Sequence, residues 1–184
     1  MKFGLLGKSL AHSFSQDYFS KKFEEASLHD YQYLNFELIE ISEFPQLLEK
    51  HPDLKGLNVT IPYKKEVIPY LHSLSKEAEE IGAVNTIAFK HGKLTGHNTD
   101  IEGFRLAIKN INLNIEDKEI FILGAGGVVP SLIYALKKLK VSKIIVSNRT
   151  RDKAEKLKSI YQDLTIIDWG KLPRFDMVIN ATSL

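Results

Sequence analysis

Phe121-Ile-Leu-Gly-Ala-Gly-Gly127 is an apolar run ending in a glycine-rich turn, with a helical pattern after it. Such a turn lets backbone N–H groups at a helix start approach a pyrophosphate closely. Gly124 and Gly126 take the first two positions of the G-x-G-x-x-G pattern, and Ala125, Gly127 and Val128 complete the turn. Val129 stands at the third glycine position, where its bulk is expected to loosen helix–strand packing. Pro130 follows, tolerated in a first helical turn. Downstream, Ile144-Ile-Val-Ser-Asn-Arg-Thr-Arg151 reads as a strand with a basic tip. NAD sites usually carry an acid there, whereas Arg149 suits the extra 2′-phosphate of NADP. Asn148 or Thr150 serves as the cap of the next helix, and arginines in its first turn oppose the helix dipole unless an anion is bound. These two segments predict an NADP(H) site.

The N-terminal half holds a second set of polar residues in apolar surroundings. Ser13 and Ser15 bracket Phe14, and Asn58 and Thr60 alternate with Leu57, Val59 and Ile61, which puts both on one strand face. Asn85-Thr86 and Asn98-Thr-Asp100 lie at element ends. Singly, each suits a cap, a turn or the surface. Together they offer hydroxyls, amides, one lysine and one aspartate, a set suited to a small polyhydroxylated carboxylate. Lys64 follows Pro62-Tyr63 at a helix start, where the helix field disfavours a cation and so suits a lysine that exchanges its proton. Asp100 is a candidate partner for it, and Lys65 reads as a solvated neighbour.

The elements that must position these residues follow from periodicity. Strands are expected at 2–6, 31–39, 56–61 and 119–123, then at 143–147, 164–167 and 175–179. A hairpin over 84–90 and 93–97 turns at His91-Gly92. Helices are expected at 14–25 with Ser13 as cap, 42–50 opened by Ser42, 64–71, 75–81, from Asp100 as cap to about Ile111, 127–139 and 151–160. From Glu119 the βαβαβ order is one mononucleotide-binding half of a doubly wound sheet with the start of the next. Because a parallel sheet needs both faces covered, a final strand with nothing after it implies a fragment of a longer protein.

The bulk properties bound the rest. At 184 residues the chain holds one large domain or two small ones, and 43% hydrophobic content suits a folded core. A net charge of +2 implies no nucleic-acid partner and no anionic membrane surface. The absence of cysteine excludes disulfides and thiol chemistry, and no metal is expected. With no signal-peptide pattern and no apolar run near the ~20 residues of a membrane span, a cytoplasmic protein is expected.

The chain resembles the shikimate dehydrogenase family along essentially its whole length. The resemblance rests on Gly7-Lys-Ser-Leu-Ala-His-Ser-Phe-Ser15, Asn58-Val-Thr-Ile-Pro-Tyr-Lys64, Gly82-Ala-Val-Asn-Thr86, Asn98-Thr-Asp100, Gly124-Ala-Gly-Gly127, Asn148-Arg-Thr150 and Asn180-Ala-Thr-Ser183. It implies reversible reduction of 3-dehydroshikimate to shikimate with NADPH, a step of chorismate and aromatic amino-acid biosynthesis. It also implies an α/β fold of two domains with a cleft between them: a mixed-sheet substrate domain over 1–100 and an incomplete Rossmann-like NADP-binding domain over 101–184. By position, Lys64 and Asp100 become the catalytic pair. Ser13 and Ser15 take the substrate carboxylate, and Asn58, Thr60 and Asn85 line the substrate site. Gly124, Ala125, Gly126, Gly127 and Val128 cradle the pyrophosphate. Asn148, Arg149, Thr150, Arg151 and Lys153 surround the 2′-phosphate, and Ala181 and Thr182 approach the nicotinamide. The partner is the small-molecule substrate, with a monomer or homodimer as the assembly. The family has small residues where Val128, Val129 and Pro130 stand, and glycine is common where Ile101 stands. The alternatives are a quinate/shikimate dehydrogenase preferring NAD, against which Arg149 argues, and a non-catalytic ligand sensor, against which Lys64 and Asp100 argue.

Overall fold

Lys2–Gly7 (β1), Gln32–Glu37 (β2) and Leu54–Val59 (β3) are strands; Gly4 to Gly7 of β1 are buried throughout, whereas β2 and β3 intersperse buried apolar residues with more exposed polar ones. The computed structural model describes residues 1–182 of the chain. It divides into two compact units, Met1–Thr99 and a second one beginning at Asp100.

In the first unit these strands join Ser73–Leu74 (β4), Thr86–Lys90 (β5) and Lys93–His97 (β6) in one six-stranded sheet of order β2-β1-β3-β5-β6-β4. β1 runs parallel to β2 and β3, whereas β3–β5 and β5–β6 are antiparallel. The sheet is mixed because His91 and Gly92, both at positive φ, close a tight hairpin between β5 and β6. Successive residues of β1 point to opposite faces. Leu6 enters the larger cluster with Phe44, Leu57, Val67 and Ile87, beneath Phe44–Lys50 (α2), Tyr63–Glu66 (α3) and Lys76–Ile81 (α4). Leu5 faces the other side with Leu10 and Tyr33, under Ser15–Glu25 (α1). Phe19 of α1 stacks on Tyr33 with centroids 4.5 Å apart. A fully buried Leu or Phe of this kind contributes about 1.5–3 kcal/mol.

The second unit begins with Asp100–Asn110 (α5). Its sheet is wholly parallel, ordered β10-β7-β8-β9, from Glu119–Leu123 (β7), Lys143–Ser147 (β8), Thr165–Ile167 (β9) and Met177–Asn180 (β10). Ile120, Phe121 and Ile122 are all buried, as expected of a central strand covered on both faces. Val129–Lys138 (α6) and Arg151–Ile160 (α7) supply the crossovers.

Local chemistry departs from the sequence reading in a few places. The helix expected at 42–50 begins with a 3-10 turn, Ile41–Glu43, and its cap is Glu40 in a reciprocal box with Glu43, not Ser42. Phe14, not Ser13, precedes α1, and Asp100 is the first residue of α5 instead of a cap outside it. Thr150 is the N-cap of α7 but makes no side-chain cap bond. The helix expected at 64–71 is a four-residue turn plus a 3-10 turn at Ile68–Tyr70, since Pro69 interrupts it. Val129, at the third glycine position, is fully buried in the second unit's core. The two-residue β4 was missed because so short a strand has no periodicity to read.

Candidate functional site

In the first unit the polar residues gather around the segment 82–86. Gly82 ends α4 in the left-handed conformation, φ +67°, and its N–H donates to the Ala78 carbonyl at 2.9 Å. The chain then runs across the ends of three elements. Val84 N donates to the Lys64 carbonyl at 2.7 Å, Asn85 N to the His97 carbonyl at 3.0 Å, and Val59 N to the Asn85 carbonyl at 2.8 Å. Lys64 in α3 is thereby tied to Val84, and the ends of β3 and β6 to Asn85.

The side chains continue this arrangement. Asn85 is buried, and its Oδ1 accepts from the Thr99 backbone N–H at 2.9 Å, from Thr99 Oγ1 at 3.1 Å and from Thr86 Oγ1 at 3.1 Å. Asp100 follows Thr99 directly in the chain, so Asn85 also anchors the residue before the aspartate. Asn98, likewise buried, donates through Nδ2 to the Ala83 carbonyl at 3.1 Å. Thr60 lies just past β3; its N–H donates to the Leu6 carbonyl and its carbonyl accepts from Tyr63 N. Tyr63 is buried and donates to the Leu38 carbonyl at 2.6 Å, which pins α3 and leaves its neighbour Lys64 half-buried. Burial also pushes the Tyr63 phenol above its usual value. With only four residues, α3 has little dipole, so the field argument for Lys64 loses its force. The Ile61–Pro62 peptide that leads into α3 is cis.

Ser13 and Ser15 sit together at the start of α1, where Ser13 Oγ accepts from Ser15 N at 3.2 Å. Asn58 differs from the other candidates. Its Oδ1 accepts from Tyr33 Oη at 2.7 Å, and its Nδ2 donates to Thr86 Oγ1 at 3.3 Å. Both ends of the amide therefore have partners within the sheet. Tyr33 was not foreseen, because its spacing marks it only as an apolar strand residue. An apolar hollow of about 350 Å³ lies on this same sheet face, bordered by Phe3, Phe19, Phe23, Tyr31 and Tyr33. Lys55, Asn58 and Thr86 also line it, but Lys64 and Asp100 do not, so the chemistry is placed at the strand ends instead.

In the second unit Gly124, Ala125, Gly126, Gly127 and Val128 form the turn between β7 and α6. Gly124 has φ +113°, and a Cβ there would stand 2.7 Å from the Ala181 carbonyl oxygen. The first glycine is thus required by the approach of the β10 end, which places Ala181 and Thr182 beside the turn. Thr182 is folded back by donation from its N–H and Oγ1 to Asn180 Oδ1 at 3.0 and 2.6 Å. A Cβ on Gly126 would meet nothing nearer than 4.0 Å, so its outer side is open.

Asn148 Nδ2 donates to the Thr150 carbonyl at 2.7 Å and curls the tip of β8, from which Arg149 extends into solvent. Among the described residues, Arg149 has no acidic partner. Arg151 does: its Nε donates to Glu155 at 3.0 Å, and its guanidinium pairs with Asp168, which together raise its already high pKa. The two arginines, equivalent in sequence, are therefore distinct, one unpaired and one engaged. Asp168 gave no advance signal, because it reaches Arg151 only after β8 and β9 pair. Lys153 is exposed in the first turn of α7. An open glycine turn, an unpaired cation at the neighbouring strand tip and free space over Gly126 fit a dinucleotide carrying a 2′-phosphate. Among the described residues no group of three or more His, Cys, Asp or Glu could hold a metal ion. No helix among them is long and apolar enough to cross a membrane.

A shikimate dehydrogenase (NADP(+)) from Pelagibacter ubique is 44% identical over 185 residues, spanning 99% of this chain and 69% of that protein. The chain belongs to the shikimate dehydrogenase family. Two family descriptions match it in succession, the shikimate dehydrogenase substrate binding domain at residues 5–87 and shikimate / quinate 5-dehydrogenase at 105–184. Among solved structures, shikimate dehydrogenase from Aquifex aeolicus aligns with a TM-score of 0.87 at 35% identity, covering 100% of this chain and 69% of that one. The Thermus thermophilus enzyme, solved with NADP(H) and shikimate, aligns at 0.86 and 30% identity, covering 99% and 68%. The mixed α/β architecture, with an incomplete Rossmann-like sheet, is that of the family.

Proposed function

We infer that the protein is an NADP-dependent oxidoreductase that interconverts 3-dehydroshikimate and shikimate. The observation that carries this reading is the knot at 82–86, which ties the Lys64 backbone, Asn85 and Thr99 to one end of the first sheet in a chain 44% identical to a named shikimate dehydrogenase. Ser13 and Ser15 take the substrate carboxylate with paired hydroxyls at a helix start. Thr60 and Asn85 hold ring hydroxyls. Lys64 gives its proton to the substrate oxygen during reduction and takes it back during oxidation, and Asp100 holds Lys64 in place. When bound, NADPH supplies the reducing equivalent. The turn 124–128 and Arg149 hold its phosphates, while Arg151, committed to Glu155 and Asp168, braces the start of α7. The first unit is the substrate-binding domain and the second the NADP-binding domain, and the setting is the cytoplasm.

The test is an assay of shikimate oxidation by the protein, expressed from its complete reading frame, with NADP⁺ and with NAD⁺. NADP⁺ is the preferred cofactor. Arg149→Ala loses about 1.5–3 kcal/mol of NADP⁺ binding, the worth of a charge-assisted contact, and Arg151→Ala loses much less. No turnover of shikimate with either cofactor overturns the reaction. Equal use of NAD⁺ overturns the role of Arg149.

A further inference from the structure

The relay behind Asn85 has a direction that can be worked out by counting protons. The Thr99 backbone N–H only donates, so the Asn85 atom facing it at 2.9 Å is the carbonyl oxygen. That oxygen only accepts, so the single proton of Thr86 Oγ1 is spent on it. Thr86 Oγ1 must then accept from Asn58, which only the Asn58 amide nitrogen can satisfy. Asn58 Oδ1 is left facing Tyr33, whose hydroxyl must donate. Every bond from Tyr33 to Asn85 points the same way, and such chains polarise each successive donor.

We propose that Tyr33, Asn58 and Thr86 are positioning residues, which reinforce the orientation that the Thr99 N–H imposes on the Asn85 amide, with its oxygen toward Thr99 and its N–H groups turned away, and so favour an oxygen acceptor on the substrate. The proposal rests on the functional reading above. It moves Asn58 from contact with the substrate to support of the residue that makes contact. Tyr33 is well placed to anchor the chain, since its ring is buried and stacked on Phe19. Burial pushes its phenol up to about 12, so it remains a donor at neutral and moderately alkaline pH.

Three variants of the protein test this, with two readouts. Tyr33→Phe removes one hydroxyl and keeps the stacked ring. Thr86→Val cuts the chain next to Asn85, and Thr86→Ser restores the hydroxyl. In nitrogen–proton spectra of the ligand-free protein, the Asn85 side-chain resonances move in Tyr33→Phe and Thr86→Val and return in Thr86→Ser. In steady-state assays Thr86→Val raises the KM for shikimate about three- to tenfold, the scale of one hydrogen bond, with the KM for NADP⁺ unchanged. Thr86→Ser recovers the wild-type value, and the Tyr33→Phe/Thr86→Val double variant matches Thr86→Val alone. Unmoved Asn85 resonances, an equal rise in both KM values, or effects that multiply in the double variant overturn the relay. If the wild-type protein does not oxidise shikimate, the functional reading fails instead, and the ligand-free spectra still decide the relay.

Discussion

Lys64 owes its place to Tyr63 rather than to any helix field. The buried phenol plugs the core under Leu38, the Lys64 carbonyl is taken by Val84, and the ammonium stem leaves the same short turn. A proton-transfer group held this way contributes to the chemical step more than to binding. Lys64→Ala is therefore expected to lower kcat about 10²–10⁴-fold with a much smaller change in the KM for shikimate. Steady-state kinetics at saturating NADP⁺ checks it; a risen KM with unchanged kcat makes Lys64 a binding residue only. Residue types in the sequence were enough to nominate Lys64, Asp100, Asn85 and Arg149. They were not enough to separate Arg149 from Arg151 or to see Tyr33, because those distinctions lie in partners 17 and 25 positions away along the chain.

At the scale of elements, the junction of β7, α6 and β10 explains its glycines by crowding as much as by ligand. Gly124 is at φ +113° against the Ala181 carbonyl, whereas Gly126 faces open space. Gly124→Ala is expected to destabilise the protein by about 1–3 kcal/mol, from backbone strain and the forced contact. Gly126→Ala should stay within about 0.5 kcal/mol of wild type while weakening NADP⁺ binding. Urea unfolding together with cofactor titration separates the two. Equal stability losses would show that the β10 end does not discriminate them. The apolar alternation and βαβ rhythm made most elements readable in advance. The exceptions are local: the Glu40 box, the broken helix at Pro69, and β4, which exists only because β6 pairs with it.

For the molecule as a whole, acid and alkali should act through different physics. Lys137 holds the Asp163 carboxyl below its usual range by a hydrogen bond, and Lys2 and Arg105 do the same for Asp53 and Glu102. A depressed folded pKa stabilises above the unfolded value and is lost as pH falls through the folded one. Tyr33, Tyr63 and Tyr161 are raised, each chiefly by burial. Their contribution is complete below about pH 10 and fades as pH rises toward the folded values. The melting temperature is thus expected to fall below about pH 4 and again above about pH 10. Salt should flatten the acid difference, because those pairs are exposed, and leave the alkaline one, because burial is not screened. Scanning calorimetry across pH at low and high salt decides it. An acid limb insensitive to salt would assign the loss to buried groups instead.

Sequence by itself determined the family, the two successive α/β segments and the residue types of the site, since periodicity, turn chemistry and motif spacing are local and survive in one dimension. Tertiary structure decided which of those residues work together. Asn58 turned inward to Tyr33 and Thr86, Arg151 was taken by Asp168, Val129 joined the second unit's core, and Asn85 became the hub of its unit. Each of these outcomes depends on proton donors and acceptors, charges or volumes that strand pairing brings within reach of one another, and no spacing along the chain specifies that reach.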